Sequence, residues 1–148
     1  MKINSFGHVG LTVRNLEKSL DFYVGVLGFK LHYPPELVTD EKEGWCILER
    51  AGVTHRRCGI KIGDGCYIEL VELNKPVEVE PAAPANTLGS AHISLKVDDI
   101  NEWYEKLKAD GIHFTSEPLP FETGRGSAYW TIFRDPDGIT IELMQNPK

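Results

Sequence analysis

The 148-residue sequence predicts an α+β chain made of two tandem βαβββ modules. Two internal echoes carry that reading. His8-Val-Gly-Leu-Thr-Val13 returns as His92-Ile-Ser-Leu-Lys-Val97, and Asp64-Gly-Cys-Tyr-Ile-Glu-Leu70 returns as Asp137-Gly-Ile-Thr-Ile-Glu-Leu143, so the two halves share a beginning and an end. A third observation separates them: the stretch from Asn74 to Thr87 has Pro76, Pro81 and Pro84 and no apolar periodicity. It reads as a linker at about 74–87, with module one at about 5–73 and module two at about 88–146.

Each element has its own signal. The first strand alternates Val9, Leu11 and Val13 with His8, Gly10 and Thr12. Asn15 then caps a helix with Leu16, Leu20, Tyr23 and Leu27 on one stripe, and Gly28 ends it. Strand-like runs follow at Phe29 to Tyr33, around Cys58 to Ile62, and at Cys66 to Leu73. The second module opens with Ile93, Leu95 and Val97. Asp99 with Glu102 resembles a capping box, Ile100, Trp103, Tyr104 and Leu107 form the apolar face, and Gly111 is the stop. Its later strands are expected at Ile112 to Thr115, Ala128 to Phe133 and Ile139 to Met144. Both final strand pairs are joined through Asp-Gly, a hairpin signal. Gly28 to Asp64 is about ten residues longer than Gly111 to Asp137. The surplus falls between Pro34 and Arg57, and Trp45 to Glu49 has no assigned structure.

Composition excludes several classes. A net charge of −6 gives no basic footprint for unspecific nucleic-acid binding, and the tightest basic cluster, His55-Arg56-Arg57, reads as a solvated loop. No apolar run nears the roughly 20 residues of a membrane span, and Met1-Lys2-Ile3-Asn4 has no signal-peptide character. Cys46, Cys58 and Cys66 form an odd set without a C-x-x-C pair, as expected of reduced thiols in a cytoplasmic protein.

Strand parity sorts the polar residues. With Val9, Leu11 and Val13 under the helix, His8, Gly10 and Thr12 point away from it. Likewise Ile68 and Leu70 leave Tyr67, Glu69 and Val71 opposite. Ile93, Leu95 and Val97 leave His92, Ser94 and Lys96, and Ile139, Ile141 and Leu143 leave Thr140, Glu142 and Met144. One His and one Glu per module therefore take the face away from the helix. A single such residue is usually only solvated, but four in matching slots of two repeats are a coherent set. Two imidazoles and two carboxylates suit a divalent ion such as Zn, Ni, Co, Mn or Fe. Two further coordination positions would be left for adjacent substrate oxygens, the ion acting as a Lewis acid toward an enediolate.

These pieces, with Ser19-Leu-Asp-Phe-Tyr23, Val26-Leu-Gly-Phe-Lys30, Ala91-His92 and Asp135-Pro-Asp-Gly138, resemble the vicinal oxygen chelate superfamily of glyoxalase I, bleomycin-resistance proteins and extradiol dioxygenases. The resemblance implies modules closing a curved mixed-sheet cup, with metal ligands at His8, Glu69, His92 and Glu142. It also implies a lyase or isomerase that moves a proton next to a carbonyl of a small-molecule substrate, with Glu142 and Glu69 as acid/base candidates. Residues two apart on the seventh strand, Trp130 and Ile132, would line the cup, joined by Thr12, Tyr67 and Met144 on the ligand faces; core packing is the competing role for the first two. Ser94 and Lys96 share those faces, and Arg125 and Arg134 are further candidates for holding an anionic group, whereas His32, His55 and His113 match no ligand slot and read as loop or strand-surface residues. Thr12, Leu73 and Leu88 stand where glyoxalase I carries its glutathione contacts, which implies a partner other than glutathione. Two alternatives stay open: an iron(II) dioxygenase, and a small-molecule binding or resistance protein. Open half-cups and the prevalence of two-fold assemblies lead us to expect a homodimer.

Overall fold

The apolar alternation at the start of each echo does form strands, and each strand begins one of two units, Met1–Val79 and Glu80–Lys148. The computed structural model describes residues 2–39, 54–63, 66–74, 76, 84, 87–124 and 126–147. Trp45 to Glu49, Cys46, the Asp64-Gly65 pair and Arg125 lie outside the described residues.

In the first unit β1 (His8–Val13) leads into α1 (Leu16–Leu20), and Asn15 caps it by accepting from the Lys18 N–H at 2.9 Å. The expected single helix changes character midway. Asp21–Val26 is π-helical, with Leu27 N–H donating to the Phe22 carbonyl five residues back. That wide turn advances the register, so Phe22 is buried beside Tyr23 although it lies off the apolar stripe. Gly28 follows at φ 74, a left-handed conformation that favours glycine. Then come β2 (Lys30–Thr39), β3 (Thr54–Ile62) and β4 (Cys66–Leu73). The sheet order is β1-β4-β3-β2, with β1 and β4 parallel and the other pairs antiparallel. β2 runs past the expected Tyr33 and through Pro34 and Pro35. It is an edge strand, where a missing N–H is tolerated, and its register shifts on both sides of Tyr33. His55-Arg56-Arg57 is not a loop but part of β3, and His55 is buried rather than at the surface.

The second unit repeats the plan: β5 (His92–Lys96), α2 (Ile100–Ala109), β6 (Leu119–Thr123), β7 (Gly126–Arg134) and β8 (Thr140–Gln145), in the order β5-β8-β7-β6 with β5 and β8 parallel. Asp99 caps α2 by accepting from the N–H groups of Asn101 and Glu102, and the Ile100 N–H reaches the Gln145 side chain at 2.8 Å. The strand expected at Ile112 to Thr115 does not form. The Ile112 N–H turns back to the Leu107 carbonyl, Phe114 makes a single bridge to Phe133, and Thr115 donates to the Ile132 carbonyl. Ser116 then gives its carbonyl to the Thr131 hydroxyl and Pro118 has no N–H to offer, so regular pairing resumes only at Leu119. At the β7–β8 turn, Asp135 accepts from the Asp137 and Ile139 N–H groups and Gly138 sits at φ 88.

The helix-side face of each sheet is the core. Leu16, Tyr23, Cys58, Ile60, Ile68 and Leu70 are buried in the first unit, and Ile100, Leu107, Phe133, Ile141 and Leu143 in the second. Each such side chain contributes about 1.5–3 kcal/mol by leaving water. Val9 departs from this pattern at 38% exposure, because β1 is an edge strand. Among the described residues no helix is long and apolar enough to cross a membrane.

Candidate metal centre

Within the first unit, strand pairing sets the site. β1 and β4 place His8 opposite Tyr67 and Gly10 opposite Glu69. Since alternate side chains share a face, His8 and Glu69 fall on the side away from the core. His8 Nε2 stands 3.7 Å from Glu69 Oε2. In the second unit, β5 and β8 place His92 opposite Thr140 and Ser94 opposite Glu142. His92 Nε2 stands 3.3 Å from Glu142 Oε2. In both pairs the carboxylate is the more buried partner, with side-chain exposures of 14% and 19%, and the imidazole is open.

The 3.3 Å separation is that of neighbouring ligands of one ion, and the 3.7 Å separation lies just beyond it, a small side-chain rotation away. Two donors each roughly 2.0–2.2 Å from a divalent cation stand about 3.0–3.5 Å apart at right or tetrahedral angles. Imidazole nitrogen with carboxylate oxygen is also the donor mixture that such ions accept. Within neither unit do three or more His, Cys, Asp or Glu side chains gather among the described residues; each unit brings a pair.

The surroundings of the pairs differ. Glu69 Oε1 accepts the Tyr33 hydroxyl at 2.6 Å, and Arg57 Nη1 lies 3.4 Å away. Burial, and then the Glu69 hydrogen bond, push the Tyr33 hydroxyl well above its ordinary pKa, so it remains a donor. Arg57 is itself held by Glu36 at 2.8 Å, the leading cause of its raised pKa. The Tyr67 ring lies between two imidazoles, stacked on His8 at 5.0 Å and on His32 at 4.6 Å. His32 therefore belongs to the neighbourhood of the first pair. Parity counting does not find Tyr33 or His32, because the shifts in β2 scramble its alternation. Arg57 lies on β3, whose pairing with β4 is unbroken, and escapes only because His55-Arg56-Arg57 reads as a loop. The signal that points to Tyr33 is Gly59, a glycine inside a strand, which often marks a close approach.

Of the other candidates, Ile132 lies opposite Glu142 and Trp130 opposite Met144, all partly exposed, while Thr12 lies opposite Val71 on β4. Thr140, expected on the open face, is buried. Arg134 donates to the Gly138 carbonyl at its own turn, and His113 is exposed outside the strands. A cavity of about 270 Å³ opens beside Leu37, His55, Arg56 and Glu72, and neither His8 nor Glu69 lines it. Its charged wall is already engaged, because Arg56 pairs with Glu17 and Glu72.

Known proteins share this plan. A lactoylglutathione lyase of Neisseria meningitidis serogroup A is 35% identical over 138 residues, 93% of this chain and 88% of its own length. A 2-epi-5-epi-valiolone epimerase of Actinomyces sp. is 27% identical over 145 residues, covering 95% and 78%. In structure, a glyoxalase family protein from Bacillus cereus superposes with a TM-score of 0.81 at 23% identity, over 98% of this chain and 95% of that one, a likeness of fold. A family profile accounts for residues 5–143, nearly the whole of both units, and by it the chain belongs to the Glyoxalase/Bleomycin resistance protein/Dioxygenase superfamily.

Proposed function

We propose that this protein is a divalent-metal-dependent lyase or isomerase of the glyoxalase type, which moves a proton next to a carbonyl of a small substrate. Its curated relatives are lyases and an epimerase, and the chain is an enzyme of that kind. The observation that carries the metal reading is the matched pair in each unit, His Nε2 beside Glu Oε2 at 3.7 Å and 3.3 Å on equivalent strands.

In this reading His8, Glu69, His92 and Glu142 hold one ion, a pair coming from each module of the same chain or of two chains. When bound, the ion supplies Lewis acidity toward adjacent oxygens of the substrate. Glu142 and Glu69 are the groups able to take and return a proton at the carbon beside the carbonyl. Trp130, Ile132, Thr12, Tyr67 and Met144 line the approach and exclude water from it.

We further read the substrate as free of glutathione. Thr12, Leu73 and Leu88 offer neither the cation nor the amide that such a partner would meet, and Leu88 is fully exposed. Each missing polar contact typically costs about 1–3 kcal/mol. Relatives named for a glutathione adduct make the test direct. Purified protein is analysed for metal under air and without it, then offered the methylglyoxal–glutathione hemithioacetal beside α-hydroxy and α-keto thioesters. The reading expects a stoichiometric divalent ion and proton exchange on a glutathione-free substrate. Turnover of the hemithioacetal at about 1–10³ per second would overturn glutathione independence, and iron with oxygen consumption would overturn the lyase or isomerase assignment.

A further inference from the structure

We propose that Tyr33, seated over Gly59, is a positioning residue that fixes Glu69 as a ligand through a single oxygen. The inference rests on the metal reading of His8 and Glu69 given above.

The geometry separates the two oxygens of Glu69. Oε2 faces His8 Nε2 at 3.7 Å, the direction in which a shared ion would lie. Oε1 points the other way, accepts the Tyr33 hydroxyl at 2.6 Å and has Arg57 Nη1 at 3.4 Å. With a hydroxyl and a guanidinium on Oε1, rotation of the carboxylate to present both oxygens to an ion would break a charge-assisted hydrogen bond. Partners of this kind orient metal ligands from behind.

The backbone is shaped for the contact. Tyr33, Gly59, Glu69 and Gly10 stand in one row across β2, β3, β4 and β1. A Cβ built on Gly59 would stand 2.5 Å and 2.6 Å from two carbons of the Tyr33 ring. The absence of a side chain at Gly59 is thus what lets the ring lie across β3 to reach Glu69. The register shifts on either side of Tyr33 set the ring on that row. In the second unit the corresponding row reads Ser94, Glu142, Ile132. Ile132 fills the place of Gly59 there, and among the described residues of that unit no hydroxyl or guanidinium reaches Glu142.

The test titrates the whole chain with Co²⁺ and follows its visible absorption, comparing the unmodified protein with Tyr33→Phe, Gly59→Ala, the double variant and Tyr129→Phe. Circular dichroism reports folding. The expected result is about a tenfold loss of Co²⁺ affinity with a changed cobalt spectrum in Tyr33→Phe and in Gly59→Ala. The double variant should lose no more than the worse single one, because both remove the same hydrogen bond. Tyr129→Phe, an exposed phenol on β7, should match the unmodified protein. A folded Tyr33→Phe protein with unchanged affinity and spectrum overturns the inference while leaving the metal reading intact. Failure of the unmodified chain to bind Co²⁺ overturns the metal reading and the inference with it. Should Gly59→Ala misfold, Tyr33→Phe decides alone, since it removes one oxygen and leaves the ring in place.

Discussion

At the scale of single residues, the described thiols separate by environment. Cys58 is buried on the core face of β3, and burial pushes its thiol up to about 11. Only the thiolate attacks an alkylating reagent, so at pH 8 folded Cys58 should be inert while partly exposed Cys66 reacts. Mass mapping of iodoacetamide adducts before and after unfolding checks this; early labelling of Cys58 would contradict the packing. The candidate ligand residues are legible in the sequence because apolar and polar positions alternate around each of them in β1, β4, β5 and β8, even though Val9, Val71 and Thr140 break the pattern elsewhere. Reading His8 with Glu69, and His92 with Glu142, onto the face of each sheet away from its core needs only parity and the repeat. Tyr33 is not legible in that way. Its partner lies two strands away, and the register that joins them is shifted on both sides.

At the scale of elements, caps and glycine stops decide where the helices begin and end. Asp99 satisfies two N–H groups at the start of α2, so Asp99→Ala should lower stability by about 1 kcal/mol. Gly28 ends the first helix at φ 74, and nothing lies within 4 Å of where an alanine Cβ would stand. Gly28→Ala would therefore cost only its backbone conformation, about 1–2 kcal/mol. Urea titrations followed by circular dichroism give both values; a change under a few tenths of a kcal/mol in either would contradict the assignment. Helix positions are readable because cap, stripe and glycine agree. The π turn is not, since Asp21–Val26 carries the same apolar spacing that an α-helix would. The late start of β6 is masked in the same manner. Ile112 and Phe114 look like strand residues, but the helix end and one bridge to Phe133 claim them first.

At the scale of the molecule, each four-stranded sheet taken by itself has two edge strands, and Val9, Leu31 and Leu119 on β1, β2 and β6 expose apolar surface. Unpaired edges invite a partner, and we expect a homodimer. Light scattering at micromolar concentration should give twice the chain mass, and a monomer there would refute it. Mixing inactive His8→Ala with inactive His92→Ala protein then reports how modules pair. Regained activity means that one site draws on two chains; none means that each site belongs to one chain. The tandem plan itself is open in the sequence, because the echoes at His8 and His92, and at Glu69 and Glu142, repeat the same slots. The central claim is that these four residues hold one ion, and elemental analysis of purified variants tests it most directly. The account predicts one divalent ion per chain, lost in His92→Ala and in Glu142→Ala and kept in His113→Ala; full metal content in both ligand variants would contradict it.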